Sequence, residues 1–320
     1  MNVTLTELRY LIALDKERHF GRASQRAHVS QPTLSVAVKK VERELGVTVF
    51  ERKRGEACIT ELGARLIDQA YRVLGEVDQM ASLAAQSRDE LDGPLRLGVI
   101  YTVGPYLLPH LIPRLKQTTP QMPLVIEENF TRTLAQQLRN NELDAVIVAT
   151  PCDLPGLSTT PLYDESFVVV VPHDHHWTQH EAVHPNELAN ENLLLMGPGH
   201  CFRDQVLELC PECRDFEAEQ KPCAGSSLES IRHMVASGLG VTVLPRSSVP
   251  DLGNVSPLLA ARPLAGTPPM RRVSLAWRSS FPRPGAITAL ANAAHDCELA
   301  GVTTIGAMDD KATDNIAISN

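Results

Sequence analysis

A chain of 320 residues, 43% of them hydrophobic, is too long for one ordinary core and suggests two or three domains. It has no run of eighteen apolar residues, and its first residues alternate charges where a secretory signal would be basic and then apolar, so a soluble cytoplasmic protein with no membrane partner is expected. The net charge of -8 argues against nucleic-acid binding by the whole surface, yet residues 1–60 hold eleven Lys and Arg against seven Asp and Glu, which confines a basic face to the N-terminal segment.

Thr4 and Glu7 form the pattern of a capping box, and Leu8, Leu11, Ile12 and Leu14 share one face, which predicts a first helix ending near His19. Gly21 to His28 gives a second short helix. Ser30 caps a third, running to Gly46, in which Gln31 and Pro32 occupy the first turn, where a missing N–H is harmless. Leu34, Ala37, Val38, Val41 and Leu45 fall on one stripe and leave Gln31, Thr33, Ser35, Lys39 and Lys40 on other faces, a helix-turn-helix pattern. Gln31, Pro32, Thr33, Ser35 and Lys39 are the candidates to meet base edges and phosphates of double-stranded DNA. Val47 to Thr60 reads as a two-stranded wing with Arg52, Lys53 and Arg54 at its tip. A small bundle with a solvated basic rim has the same periodicity, but the basic tip and polar first turn favour DNA.

Glu61 to Gln86 lacks Pro, and Ile67, Ala70, Leu74, Val77, Ala81 and Ala84 recur at alternating three- and four-residue steps, the seam of a short coiled coil. A helix packed on its own domain shows a similar period. Asp92-Gly93-Pro94 ends it. Short apolar runs follow at Leu95 to Ile100, Leu124 to Glu128, Ala145 to Thr150, Phe167 to Val171, Leu193 to Met196 and Val241 to Leu244, with helical stretches between most of them, so an α/β domain of two lobes is expected. Ser226 and Glu229 predict a second capping box, on a helix ending at Gly238. Residues 301–320 lack apolar periodicity and predict a flexible tail.

Phe20, Ala23 and Val29 to Ser35, followed by V-x-x-E-L-G-V-x-V-F-E-R from Val41 and I-T-E-L-G from Ile59, resemble the N-terminal domain of LysR-type transcriptional regulators. The resemblance implies an α+β multidomain chain. Residues 1–60 would be a winged helix-turn-helix, 61–90 a dimerisation linker helix, and 91–300 a two-lobed α/β regulatory domain like periplasmic binding proteins. Lobe I would take about 95–164 and 269–300, lobe II about 165–268, with 301–320 the tail. A dimer suits DNA, because two recognition helices spaced by a helical turn read a two-fold operator.

The stretch from Gly199 to Cys210 carries a conflict. From Phe202 onward it has no Gly or Pro, and Val206, Leu209 and Cys210 share a face, so a short helix opening near His200 is predicted. Its two cysteines would lie about 13 Å apart, whereas a disulfide needs Cα atoms roughly 4.4–6.8 Å apart, so a bond between them must unwind the helix. At the helix start the unpaired N–H groups favour an anion, and His200 and Arg203 add positive character, which makes Cys201 the better attacking thiolate and Cys210 the resolving thiol. The plainer alternative is two half-buried core cysteines.

Thr102 to Pro113 (T-V-G-P-Y-L-L-P-H-L-I-P), the G-H-C-x-R-D-Q-x4-C stretch and Ser227 to Pro245 together resemble the hydrogen-peroxide-sensing members of that family along essentially the whole chain. This implies a peroxidatic Cys201, a resolving Cys210, and a peroxide pocket lined by Thr102, Thr131, His200, Asp204 and Arg278. The reversible Cys201–Cys210 disulfide would change subunit packing and promoter contacts. The implied partners are promoter DNA, hydrogen peroxide, further copies in a homodimer or homotetramer, RNA polymerase and a thiol reductant, with no enzymatic turnover and no cofactor. The competing readings are a regulator that binds an organic effector between its lobes, and a thiol peroxidase.

The other cysteines add alternatives. Cys210-Pro211-Glu212-Cys213 is C-x2-C, but a four-thiolate zinc site with Cys201 and Cys223 lacks a second C-x2-C. A competing Cys201–Cys213 or Cys213–Cys223 bond is the better expectation. His173, His175, His176, His180 and His184 are expected in a wet, Pro-bounded loop in preference to a metal site.

Overall fold

The computed structural model describes residues 2–53, 56–84, 90–150, 157–211, 213, 224–249, 253–267 and 269–305. The chain divides into two compact units, residues 1–88 with 139–142, and 89–138 with 143–320.

In the first unit, α1 (Leu5–Glu17) opens on the expected capping box of Thr4 and Glu7, α2 (Phe20–Arg26) is capped by the His19 ring, and α3 (Gln31–Leu45) is capped by Ser30. Gly46 closes α3 at φ 68°, a left-handed turn that suits glycine. Leu11, Leu14, Leu34, Val38 and Val41 form the core between the helices. β1 (Phe50–Lys53) and β2 (Glu56–Ile59) pair antiparallel as the wing. The long helix α4 (Glu61–Ala84) begins on this same core, because Ile67 and Tyr71 are buried in it. That divides the expected seam. Ile67 and Ala70 are buried in their own unit, whereas Leu74 and Val77 are half-buried and Met80 is 69% exposed.

In the second unit, β3 (Leu95–Ile100) pairs in parallel with β4 (Leu124–Asn129) and β5 (Ala145–Thr150), the arrangement that alternating apolar runs and helices predict. The long β6 (Leu157–Pro172) joins the two lobes. Its first part pairs with β12 (Met270–Arg278), and its last part with β11 (Leu259–Pro263) and β9 (Thr242–Pro245). The change of partner comes after Ser166, two residues beyond the expected Asp164, and the chain returns at Met270; Pro268 lies outside the described residues.

Three local expectations are corrected. The helix at Leu228–Ala236 is capped by Ser227, whose hydroxyl accepts from Ser230 N, and Glu229 instead meets Tyr106 and Arg232. Val302–Thr304, expected in the tail, forms β13 against β6, because an edge strand gains its ladder from its neighbour and needs no apolar period of its own; 306–320 lie outside the described residues. In the histidine stretch His173, His176, His180 and His184 are exposed, as a wet segment requires, but the backbone is more ordered than a loop. It folds into 3-10 turns at His176–Gln179 and Pro185–Asn190, which bury Trp177 and Leu188 in the core of lobe II.

Candidate functional site

The helix α7 (Cys201–Leu209) lies where the sequence predicts it, with His200 as N-cap residue and Cys201 as first helical residue. Gly199 sets this up. Its φ of 94° is a conformation L side chains rarely adopt, and a Cβ there would meet the Phe130 ring at 3.4 Å. The far face of α7 buries Phe202, Val206 and Leu207 in lobe II, with Phe202 edge-on to Phe167 at 5.4 Å between ring centroids. This burial, more than the propensity of nine residues, holds the helix.

A small cavity of about 10 Å³ opens at the start of α7, lined by Thr102, Phe130, Thr131, His200 and Cys201, among others. Its free volume is that of roughly one water. Thr131, the first residue of α6 (Thr131–Arg139), points its hydroxyl at the Cys201 sulfur, 3.6 Å away. His200 packs between Phe130 and Tyr101, with ring centroids at 4.7 and 5.8 Å. Burial pushes its imidazole below the ordinary 6.5, so it is neutral at neutral pH. The positive character expected from His200 is therefore missing, and the Arg203 guanidinium is turned to the Met196 carbonyl at 2.7 Å.

Two expected pocket residues do not line the cavity. Asp204 is exposed on α7. Arg278 lies near the end of β12, where its guanidinium donates to the carbonyls of Leu138 and Leu143. Another arginine lies behind the cavity wall, against Thr102. Arg271 is buried (2% exposed), donates to the Thr102 hydroxyl at 2.9 Å and to the Thr102 carbonyl at 3.0 Å, and pairs with the buried Glu165 at 2.7 Å. Seven steps along a strand separate Arg271 from Arg278, roughly 23 Å, so one cannot stand in for the other. A signal for Arg271 was present, since it is in phase with the buried Val273 and Leu275. Because Arg271 fills one lone pair of the Thr102 oxygen, the Thr102 proton remains available to donate elsewhere.

The other end of α7 differs. Cys210 and Cys213 are disulfide-bonded, 5.4 Å apart at Cα, and both are buried. Neither expected competitor, Cys201–Cys213 or Cys213–Cys223, is formed: Cys201 is free and half-buried, and Cys223 lies outside the described residues. The spacing of three fits a bond just beyond the helix and leaves α7 undisturbed.

Elsewhere, a wider cavity of about 470 Å³ lies beside Tyr106, His110, Arg232, Ser247 and Glu298. His175, His176 and Glu191 bring ligating atoms within 4.8 Å of one another, but His175 already has two tasks, capping Trp177 N through Nδ1 at 3.3 Å and facing Glu191 at 3.5 Å. In the first unit, Gln31, Pro32, Thr33 and Lys39 are exposed along α3 and Ser35 is half-buried. Lys40 is drawn back into an ion pair with Glu7 at 2.7 Å. Val36, absent from the expected set, is 68% exposed on the same helix. Arg52 and Lys53 belong to β1, and Arg54 lies outside the described residues. Among the described residues, no helix is long and apolar enough to cross a membrane.

Comparison with known proteins agrees with this layout. The family described as "Bacterial regulatory helix-turn-helix protein, lysR family" matches residues 5–64, and "LysR substrate binding domain" matches residues 88–297. The Escherichia coli K12 DNA-binding transcriptional dual regulator OxyR is 40% identical over 283 residues, covering 88% of this chain and 91% of that protein. A full-length OxyR variant from Pseudomonas aeruginosa is 49% identical with a TM-score of 0.74, covering 93% of this chain and all of that one. A peroxide-bound OxyR mutant from Corynebacterium glutamicum is 31% identical with a TM-score of 0.59, covering 92% of each chain.

Proposed function

The chain belongs to the LysR family of bacterial regulators, in its OxyR branch, and from that premise we propose that it is a DNA-binding transcriptional regulator that senses hydrogen peroxide through Cys201. The observation that carries the reading is the cavity at the start of α7: its free volume is about that of one water, the scale of a peroxide and not of an organic effector, and a free thiol and two threonines line it. Peroxide lying there would have one oxygen against the Cys201 sulfur and the other near the Thr102 hydroxyl. The thiolate attacks the near oxygen, an S–O bond forms, the O–O bond breaks, and hydroxide leaves. Thr102, oriented by Arg271, donates to the departing oxygen, while neutral His200 orders the pocket without adding charge.

The sulfenic acid on Cys201 then condenses with Cys210. The two ends of α7 are about 13 Å apart along its axis, so the bond forms only when the helix unwinds, and this is the two-state element of the switch. Its change would alter packing between subunits of a homodimer or homotetramer, using the exposed later part of α4, and hence the spacing of the α3 helices on promoter DNA. Gln31, Pro32, Thr33 and Ser35 would face base edges, and Lys39, Arg52, Lys53 and Arg54 the phosphates. RNA polymerase is the target of the regulated contact, and a thiol reductant resets the switch in the cytoplasm. As a sensor it consumes peroxide stoichiometrically, without the sustained turnover of a thiol peroxidase. The wider cavity beside Tyr106 is where the organic-effector reading would place its ligand, which would reveal itself as ligand-induced thermal stabilisation.

The deciding experiment is non-reducing peptide mapping of reduced protein given about one equivalent of peroxide and quenched at seconds and minutes. Rapid, selective modification of Cys201 is expected. A Cys201→Ser protein whose promoter binding still answered peroxide would overturn the reading.

A further inference from the structure

We propose that Cys213 is a second resolving thiol, which takes over the disulfide from Cys201 and thereby times the switch. The inference rests on the reading of Cys201 as the peroxide-reactive thiol. What motivates it is that Cys210 is bonded to Cys213 while Cys201 is free and α7 is intact.

The two disulfides open to Cys210 make opposite demands on the fold. A bond to Cys201 spans the whole of α7 and can close only by giving up its backbone hydrogen bonds and the burial of Phe202, Val206 and Leu207. A bond to Cys213 spans three residues beyond the helix, with Cα atoms 5.4 Å apart and both sulfurs within the apolar core of lobe II. Refolding of α7 therefore favours transfer from the first bond to the second. Cys213 is also always near. Only Pro211 and Glu212 separate it from Cys210 whatever conformation 201–209 adopts, and so short a tether makes the encounter frequent.

The steps balance. Peroxide oxidises the Cys201 thiolate to sulfenic acid and is reduced to hydroxide. The Cys210 thiol condenses with the sulfenic acid, forming the Cys201–Cys210 bond and releasing water. The Cys213 thiolate then attacks the Cys210 sulfur, the Cys210–Cys213 bond forms, and Cys201 leaves as thiolate. Overall, two thiols become one disulfide, peroxide becomes two waters, and Cys201 is regenerated. The unwound, signalling form is thus transient. While the Cys210–Cys213 pair stays oxidised there is no resolving thiol, and a second peroxide stops at the Cys201 sulfenic acid, open to capture by a small thiol. Reduction by a dithiol reductant restores sensitivity.

Sequence makes the test direct. Cleavage after Arg203 and Arg214 puts Cys201 on one peptide and both Cys210 and Cys213 on the next, so the first disulfide is a crosslink between peptides and the second leaves one peptide lighter by two hydrogens. In fully reduced full-length protein given one equivalent of peroxide, the crosslink should rise and then decay into the lighter peptide while Cys201 again becomes alkylatable. In Cys213→Ser the crosslink should form at the same rate and persist at least about tenfold longer. A wild-type crosslink as long-lived as that of Cys213→Ser would overturn the relay and leave peroxide sensing intact. So would a Cys201→Ser protein that fills the Cys210–Cys213 bond at the wild-type rate, since peroxide would then reach that pair directly. Failure of the sensing reading looks different: Cys201 would be unmodified in wild type and Cys213→Ser alike.

Discussion

The two ends of α7 hold a cysteine each and have little else in common. At the N-terminal end Cys201 is free and half-buried, beside a cavity of about 10 Å³ with Thr131 at 3.6 Å and Thr102 held by Arg271. At the C-terminal end Cys210 lies in the apolar core of lobe II and is bonded to Cys213. The difference separates two properties that one cysteine cannot combine. Speed of attack requires access and polar partners, whereas a conformational signal requires a thiol whose engagement disturbs packed structure. Substitutions at the first end should change how fast peroxide is read, and those at the second should change which product results and how long it lasts.

The largest effect is expected at the sulfur itself. Cys201→Ser should abolish the peroxide response of promoter binding, while Cys210→Ser should react at an ordinary rate and accumulate a sulfenic acid on Cys201, detectable by a sulfenic-acid-selective probe. Equal peroxide rates for the two variants would erase the distinction between the ends. Next is the buried pair beneath the cavity. Arg271→Ala leaves Glu165 (0% exposed) without its cation and should destabilise the regulatory unit by about 3–5 kcal/mol, read by denaturant unfolding. Arg278→Ala should leave the peroxide rate within about twofold of wild type, because it removes no group facing the sulfur.

That pair of arginines shows where sequence reading ends. The caps at Thr4 and Ser30 and the opening of α7 at His200 were legible because each depends on residues within one turn of itself. The branch of the family was legible through motifs, and so was the company that Cys201 keeps with Thr102, Thr131 and His200 around one cavity. Which arginine reaches Thr102 depends instead on the register of β12 against β6, where Arg271 pairs with Glu165, and no local motif encodes that. The Cys210–Cys213 bond was hidden for a related reason: spacing alone offered Cys213 several partners, and burial of both thiols beyond an intact helix selected among them. In α4, one apolar period serves two purposes, with Ile67 packed inward and Met80 exposed, so periodicity could not show where one ends.

An intermediate effect is expected from the core side of the helix. Leu207→Ala removes buried packing from α7 and should cost about 2–5 kcal/mol of stability. Because the loss falls on the wound form, the Cys201–Cys210 crosslink should form more readily and decay more slowly, while the first oxidation of Cys201 keeps its rate. Thr131→Val makes the complementary change. It removes the hydroxyl facing the sulfur and should slow that first oxidation by about tenfold while leaving the crosslink lifetime unaltered. Stopped-flow oxidation and timed peptide mapping separate the two.

The smallest expected effect concerns pH and tests whether the pocket depends on a neutral imidazole. Burial among Tyr101 and Phe130 lowers the His200 value below the 6.5 of an unfolded chain, so the folded state binds fewer protons than the unfolded one between the two values. Stability should therefore fall as pH is lowered from about 6.5, and level off once pH is below the folded value, where both states are protonated. The same protonation would put a charge on a buried ring in the wall of the cavity, which favours its turning out to water, so peroxide reactivity should decline over that window. His200→Phe keeps a planar ring and removes the proton. It should flatten the acid limb of stability relative to wild type, measured as midpoint against pH, and an unchanged limb would assign the acid sensitivity to another group.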